Sequence, residues 1–185
     1  MHDESVKERF LPVELLTGNP MPSGQELTFA PVDRVYPFTD ELPDGTLGKG
    51  EVVLKGPVKW EAGGAVLEVY ERKVPRANER FALTQDRTAI GRVYDDRIGN
   101  ITNEGKHPVG VWTQGQERSY NTTYHGSRGP RGDVSTLKIE KLSCTWEGTP
   151  GAMQFGWRTN GGQHYGYVYA PGKGLVHVMT RSRGR

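Results

Sequence analysis

From position 49 onward the apolar side chains recur mostly at every second residue. That period belongs to strands, whose successive side chains point to opposite faces of a sheet. The signal is clearest near the C-terminus. Met153, Phe155 and Trp157 share one parity over 152–159, Asn160-Gly161-Gly162 supplies a tight turn, and Tyr165, Tyr167 and Tyr169 share one parity over 164–169. A second turn at 170–174 leads into a strand over 175–179, with Leu175, His177 and Met179 facing away from Val176 and Val178. Shorter apolar or β-branched runs predict strands over 51–54, 65–72, 81–83, 90–94, 109–112 and 119–124, and Gly63-Gly64 fits a hairpin turn. Over 134–146 the alternation Leu137, Ile139 gives way to Leu142, Cys144, Trp146. One extra residue shifts the phase there, which predicts a β-bulge at Glu140-Lys141.

The first 48 residues read differently. Ser5 and Glu8 fit a capping box, and Val6, Phe10 and Val13 are roughly helix-spaced, so one or two helical turns are expected from Ser5. Prolines at 12, 20, 22, 31, 37 and 43 exclude long regular elements. The expectation is an extended, Pro-rich N-terminal arm over 1–48 ahead of a β domain over 49–185. The fold class is therefore all-β with little helix: an antiparallel β-sandwich or barrel, jelly-roll-like. No long helix alternates with the strands, which argues against a parallel α/β sheet.

Composition agrees. The 25 Gly and 12 Pro in 185 residues suit many turns between short strands. No apolar run reaches the ~20 residues of a membrane-spanning helix. No signal peptide is visible in Met1–Ser5 and its sequel, so the chain is read as made in soluble form, possible incorporation into an extracellular particle included. Cys144 is the only cysteine and fits a small buried apolar position. The net charge of +2 conceals an asymmetry: residues 1–60 hold six Lys/Arg against ten Asp/Glu, and residues 121–185 hold nine against three. Either a solvated surface or contact between unlike ends, within or between copies, accounts for it.

Candidate chemistry is sparse. Neither G-x-G-x-x-G nor a Walker-type loop occurs, and Gly172-Lys173-Gly174 sits in a hairpin turn. The five His (2, 107, 125, 164, 177) lack metal-ligand spacing, and Asp95-Asp96 lacks the alternating oxygens of a calcium loop. No cofactor and no metal are expected. Tyr124-His125-Gly126-Ser127 resembles the NAD-cradling motif of ADP-ribosylating toxins and polymerases over four residues. Those families need a catalytic Glu well downstream, whereas Glu140 and Glu147 lie close by in β-patterned sequence, so no role carries over. Arg131-Gly132-Asp133 reads as turn chemistry in a Gly/Pro-rich loop before a strand. Asn100 and Asn121 fit glycosylation sites only in a secretory context.

The aromatic row stands out. Tyr165, Tyr167 and Tyr169 are spaced about 6.8 Å apart along one strand face, with Trp157 close by across the turn and Arg158 pointing the other way. Two readings stay open: the rings form part of the core, or they line a binding or subunit-contact surface. The leading functional expectation is a non-enzymatic structural or binding subunit of a larger assembly, such as a virion or phage particle component or a surface layer. It would pair with itself or with other structural proteins. The alternative is a carbohydrate-binding β module using Tyr165, Tyr167, Tyr169, Trp157 and Arg158. A further alternative is a small β-barrel enzyme with His125, His164 or His177 as base. Nucleic-acid binding by the basic C-terminal third ranks last.

Overall fold

In a computed structural model, the described residues are 3–11, 32–62, 65–74, 77–83, 90–95, 99–102, 110–126 and 128–181. They form thirteen strands and, among the described residues, no helix. In chain order these are β1 (Glu8–Leu11), β2 (Val32–Glu41), β3 (Leu47–Ala62), β4 (Ala65–Val74), β5 (Ala77–Leu83), β6 (Ile90–Asp95), β7 (Gly99–Thr102), β8 (Gly110–Thr113), β9 (Glu117–Gly126), β10 (Gly129–Trp146), β11 (Thr149–Thr159), β12 (His164–Ala170) and β13 (Gly174–Thr180). The all-β expectation holds. β1 and β8 form a small two-stranded sheet, and the remaining strands form one large sheet in the order β10-β11-β12-β13-β2-β3-β4-β5-β6-β7-β9. β9 also pairs with β10 through ten residues, so the order of pairing is cyclic.

Every pairing in the large sheet is antiparallel except β13 with β2, which is parallel and covers only Thr39–Glu41 against His177–Met179. Short turns account for the antiparallel majority, since hairpins connect sequential strands with few residues. Gly45 follows Pro43-Asp44 with φ 84°, as the turn between β2 and β3 requires. Gly56 has a different reason. A Cβ there would lie 2.5 Å from the Tyr70 ring, so only glycine lets β3 cross that ring.

The register puts Tyr36, Phe38, Val52, Leu54, Leu137, Ile139, Met153, Phe155, Tyr169 and Leu175 on one face, where they make the main core with Leu11 and Trp112. Cys144, Ala152 and Val168 form a second, smaller cluster with Trp146 and Met179. Cys144 is buried, as expected.

The bulge expected at Glu140-Lys141 is present: the β10–β11 register shifts between Ile139 and Lys141, and again on either side of Cys144. Gln114 satisfies the backbone there, donating to the Glu140 carbonyl (2.7 Å) and accepting from the Leu142 amide (2.8 Å). The repeated shifts also send Leu142 to the main core and Cys144 to the second cluster, although the two share a parity.

Three expectations need correction. The helical turns from Ser5 are absent. Asp3 accepts a hydrogen bond from the Ser5 amide (2.9 Å) in a local turn, and Glu8–Leu11 is extended and paired with β8. Burial of Leu11 and the Arg9 guanidinium, which donates to the Leu142 and Gly151 carbonyls, outweigh the local capping signal. Residues 32–41, expected within the arm, form β2 between β13 and β3; the intervening 12–31 lie outside the described residues. Finally, Leu175 does not share a face with His177 and Met179. A register shift at Val168/Tyr169 turns Leu175 into the main core.

Candidate functional site

The aromatic row is built by register. Trp157 lies opposite Tyr165, Phe155 opposite Tyr167 and Met153 opposite Tyr169, so alternate residues of β11 and β12 meet on one face. Their rings touch in sequence. Phe155 lies 5.2 Å from Tyr169 and 5.3 Å from Tyr167, Tyr165 lies 6.3 Å from Tyr167, and Trp157 stacks on Tyr165 at 5.8 Å. Separations of this size suit offset aromatic contacts.

Burial is graded along the row. Tyr169 is 1% exposed, whereas Tyr167, Tyr165 and Trp157 are only partly buried. At the deep end stands an ion pair, Arg72 of β4 with Glu79 of β5, at 2.6 Å. The Arg72 guanidinium lies 4.7 Å from the centre of the Phe81 ring and hydrogen-bonds the Tyr169 hydroxyl. Burial opposes the charge on Arg72, but Glu79 outweighs it and keeps the guanidinium protonated. Burial pushes the Tyr169 phenol up to about 12, partly offset by the Arg72 charge. Burial likewise raises Tyr36 and Tyr167.

At the shallow end the neighbouring strands β9 and β10 add more polar aromatic surface. The Trp157 indole donates to the Tyr120 hydroxyl (3.1 Å), which also hydrogen-bonds Ser135. Burial pushes the Tyr120 phenol up to about 12. Tyr124, four residues on and therefore on the same face, is raised by burial and by the Asp133 charge, against the pull of Arg131. Arg131 lies opposite Tyr124 in the β9–β10 ladder, its guanidinium 6.0 Å from the ring centre.

Tyr165, Tyr167, Tyr169 and Trp157 are thus brought together. Arg158 does not join them. It projects from the other face and pairs with Glu117 at 3.2 Å, both side chains exposed. Tyr120, Tyr124, Arg131 and Asp133 were not singled out in the sequence as companions of the row. The alternation Tyr120, Thr122, Tyr124 within a predicted strand carried the signal for two of them. Arg131-Gly132-Asp133 is not a loop: β9 and β10 pair as far as Gly126↔Gly129, so the tripeptide is strand and its two charged side chains share a face.

The two histidines whose side chains are described, His164 and His177, lie apart. The His125 side chain lies outside the described residues. His164 is at one end of β12, near Arg181, while His177 pairs with Val168 four residues along, so the two are not neighbours. His177 is 3% exposed; its Nδ1 hydrogen-bonds the Thr39 hydroxyl and its Nε2 lies 3.3 Å from Glu41 Oε2. Trp146 covers the imidazole at 4.8 Å. An imidazole saturated at both nitrogens and this buried clamps the parallel seam between β2 and β13.

Beside this lies a second polar group on the same outer face. Arg181 grips Glu140 with both terminal nitrogens, and Gln154 donates to Glu140 at 2.7 Å. The pair rests over Gly156 and Gly166, which face each other across β11 and β12. No group of three or more His, Cys, Asp or Glu among the described residues is arranged to hold a metal ion. Among those residues, no helix is long and apolar enough to cross a membrane.

No protein-family model, no curated protein and no solved structure matches this chain.

Proposed function

We propose that this protein is a binding module whose ligand, a carbohydrate, stacks against the half-buried end of the aromatic row. One observation carries the reading: Trp157, Tyr165, Tyr120 and Tyr124 gather on one sheet face, partly exposed, beside charged side chains at the end of β10. Such rings offer a flat apolar surface together with hydroxyl and indole hydrogen-bonding groups, which is the pairing a sugar ring presents in return. The cyclic pairing order favours the barrel over the sandwich, and small barrels hold ligands at their mouths. A glycan array followed by tryptophan-fluorescence titration tests this. Tyr165→Ala is expected to weaken a hit at least about tenfold, as loss of a stacking partner should. Absence of any array hit together with unquenched fluorescence removes the proposal.

A second reading, a subunit of a larger assembly, draws on a different surface. Phe10 and Val111 lie directly opposite each other in the small sheet and are 47% and 50% exposed. Paired apolar side chains left in water favour contact with another chain. Light scattering over a wide dilution range tests it, and a monomer throughout, unaltered by Phe10→Ser, rules it out.

A further inference from the structure

The charges at the shallow end are not equally committed. Both carboxylate oxygens of Asp133 are used: Oδ1 accepts from the Val134 amide (2.7 Å) and Oδ2 from the Gly161 amide (3.1 Å). Arg118, also on this face, donates to the Val111 carbonyl and packs over Trp112 at 4.3 Å. Arg131 differs. It is exposed, its described contact is the Tyr124 ring, and among the described residues it enters no ion pair. Of these described charges on the ring face, Arg131 is therefore the one without a polar partner, and its planar fork suits a carboxylate.

Position adds a length. Trp157 lies opposite Leu137, six residues along β10 from Arg131. At strand rise that is about 20 Å of sheet, with Tyr120 and Tyr124 occupying the interval. A ligand that reaches from the Trp157–Tyr165 stack to Arg131 is an oligomer, with its acidic group at the Arg131 end.

Building on the carbohydrate reading above, we infer that the site selects an acidic, uronate-type oligosaccharide over its neutral counterpart, and that Arg131 is the residue that makes the distinction. The inference is tested by fluorescence titration with tetragalacturonate and with its carboxyl-reduced counterpart, galactotetraose, on the intact protein. At low salt the acidic probe is expected to bind about three- to tenfold more tightly, the span between an exposed ion pair and a well-aligned bidentate one. Arg131→Gln should abolish that preference by weakening the acidic probe more than the neutral one, and Arg131→Lys should restore only part of it. Rising salt should narrow the preference in the native protein. Equal binding of the two probes, or a preference that survives Arg131→Gln, overturns the inference and leaves the stacking site intact. If neither probe binds, the inference falls, and the glycan array alone decides the carbohydrate reading.

Discussion

Gly166→Ala probes how closely the outer face is fitted. Gly156 and Gly166 are register partners on β11 and β12, and neither has a left-handed backbone. A Cβ on Gly166 would sit 2.7 Å from an Arg181 terminal nitrogen and 2.8 Å from the Met179 methyl; one on Gly156 would sit 2.7 Å from Glu140 Oε1. The two glycines leave a trough, and the Arg181–Glu140 pair lies in it. Alanine at 166 is favourable in one respect, restricting the unfolded chain by about 0.4–1 kcal/mol. Against that, it displaces a guanidinium–carboxylate pair. Hydrogen bonds to charged groups contribute about 1.5–3 kcal/mol when shielded. With the side chains 26% and 22% exposed, solvent screening reduces this to about 1–2 kcal/mol. The net expectation is destabilisation by about 1 kcal/mol, or about 0.5 M in urea midpoint with unchanged slope. The decisive comparison is the same substitution in an Arg181→Ala background. There the trough is vacant and Gly166→Ala should become neutral or stabilising. If Gly166→Ala stabilises the native protein, or costs the same in both backgrounds, the reasoning fails.

His177→Leu keeps the volume but removes both hydrogen bonds across the only parallel junction among the described strands, and should cost about 1–3 kcal/mol in urea unfolding; a neutral result would mean the seam holds without its clamp. Glu79→Gln should destabilise by about 3–5 kcal/mol because it leaves Arg72 buried without its counter-charge, while the Arg72→Met/Glu79→Leu double variant should recover part of that loss, read as melting temperature. Acid should weaken the outer face in two stages. His164 is held below its ordinary 6.5 by burial and by the Arg181 charge, so the unfolded chain binds its proton first and stability declines as pH falls below that value. For Glu140, burial alone would raise the carboxyl, but hydrogen bonds from Arg181 and Gln154 hold it below its ordinary 4.5. Its contribution is present above that pH and is lost as pH falls through the lower folded value. Glu140→Gln should flatten only the second stage of a pH series of unfolding curves.

What the sequence conveyed was local. The meander from Met153 to Met179 was legible because each of its strands pairs with the next in the chain and its turns carry glycine. The bulge after Ile139 was legible as a lost phase. Pairing at long range was not. The four residues of β1 fit a helix or a strand equally well, and what decides is β8, a hundred residues away, with Trp112 beneath. Pro37 made 32–41 look like an arm, yet it pairs with Glu51 of β3, and the β13 ladder begins only at Thr39, so β2 carries no β13 ladder beside the proline. The site divided in the same way. The Tyr165–Tyr169 alternation announced one wall, while Tyr120, Tyr124 and Arg131 became part of it only through the β9–β10 and β10–β11 registers.

Three phenols in a row posed a problem for a core, since each buried hydroxyl needs a partner. The opposite strands resolve it unevenly. Tyr169 meets Arg72, the Tyr36 hydroxyl accepts from the Leu175 amide, and Tyr120 is held by Trp157 and Ser135. Tyr165 is stacked on Trp157 and partly in water. Depth along one strand therefore divides the row into a buried end that belongs to the core and a partly exposed end on which the carbohydrate proposal rests. Tyr169→Phe should cost about 1–2 kcal/mol, because it strips a buried guanidinium of an acceptor. Tyr165→Phe should leave stability within about 0.5 kcal/mol, as a partly exposed position does, and act instead on whatever stacks there. Urea curves for the two variants distinguish these outcomes. Equal costs would mean that the row is uniformly core and that no part of it is free to receive a ligand.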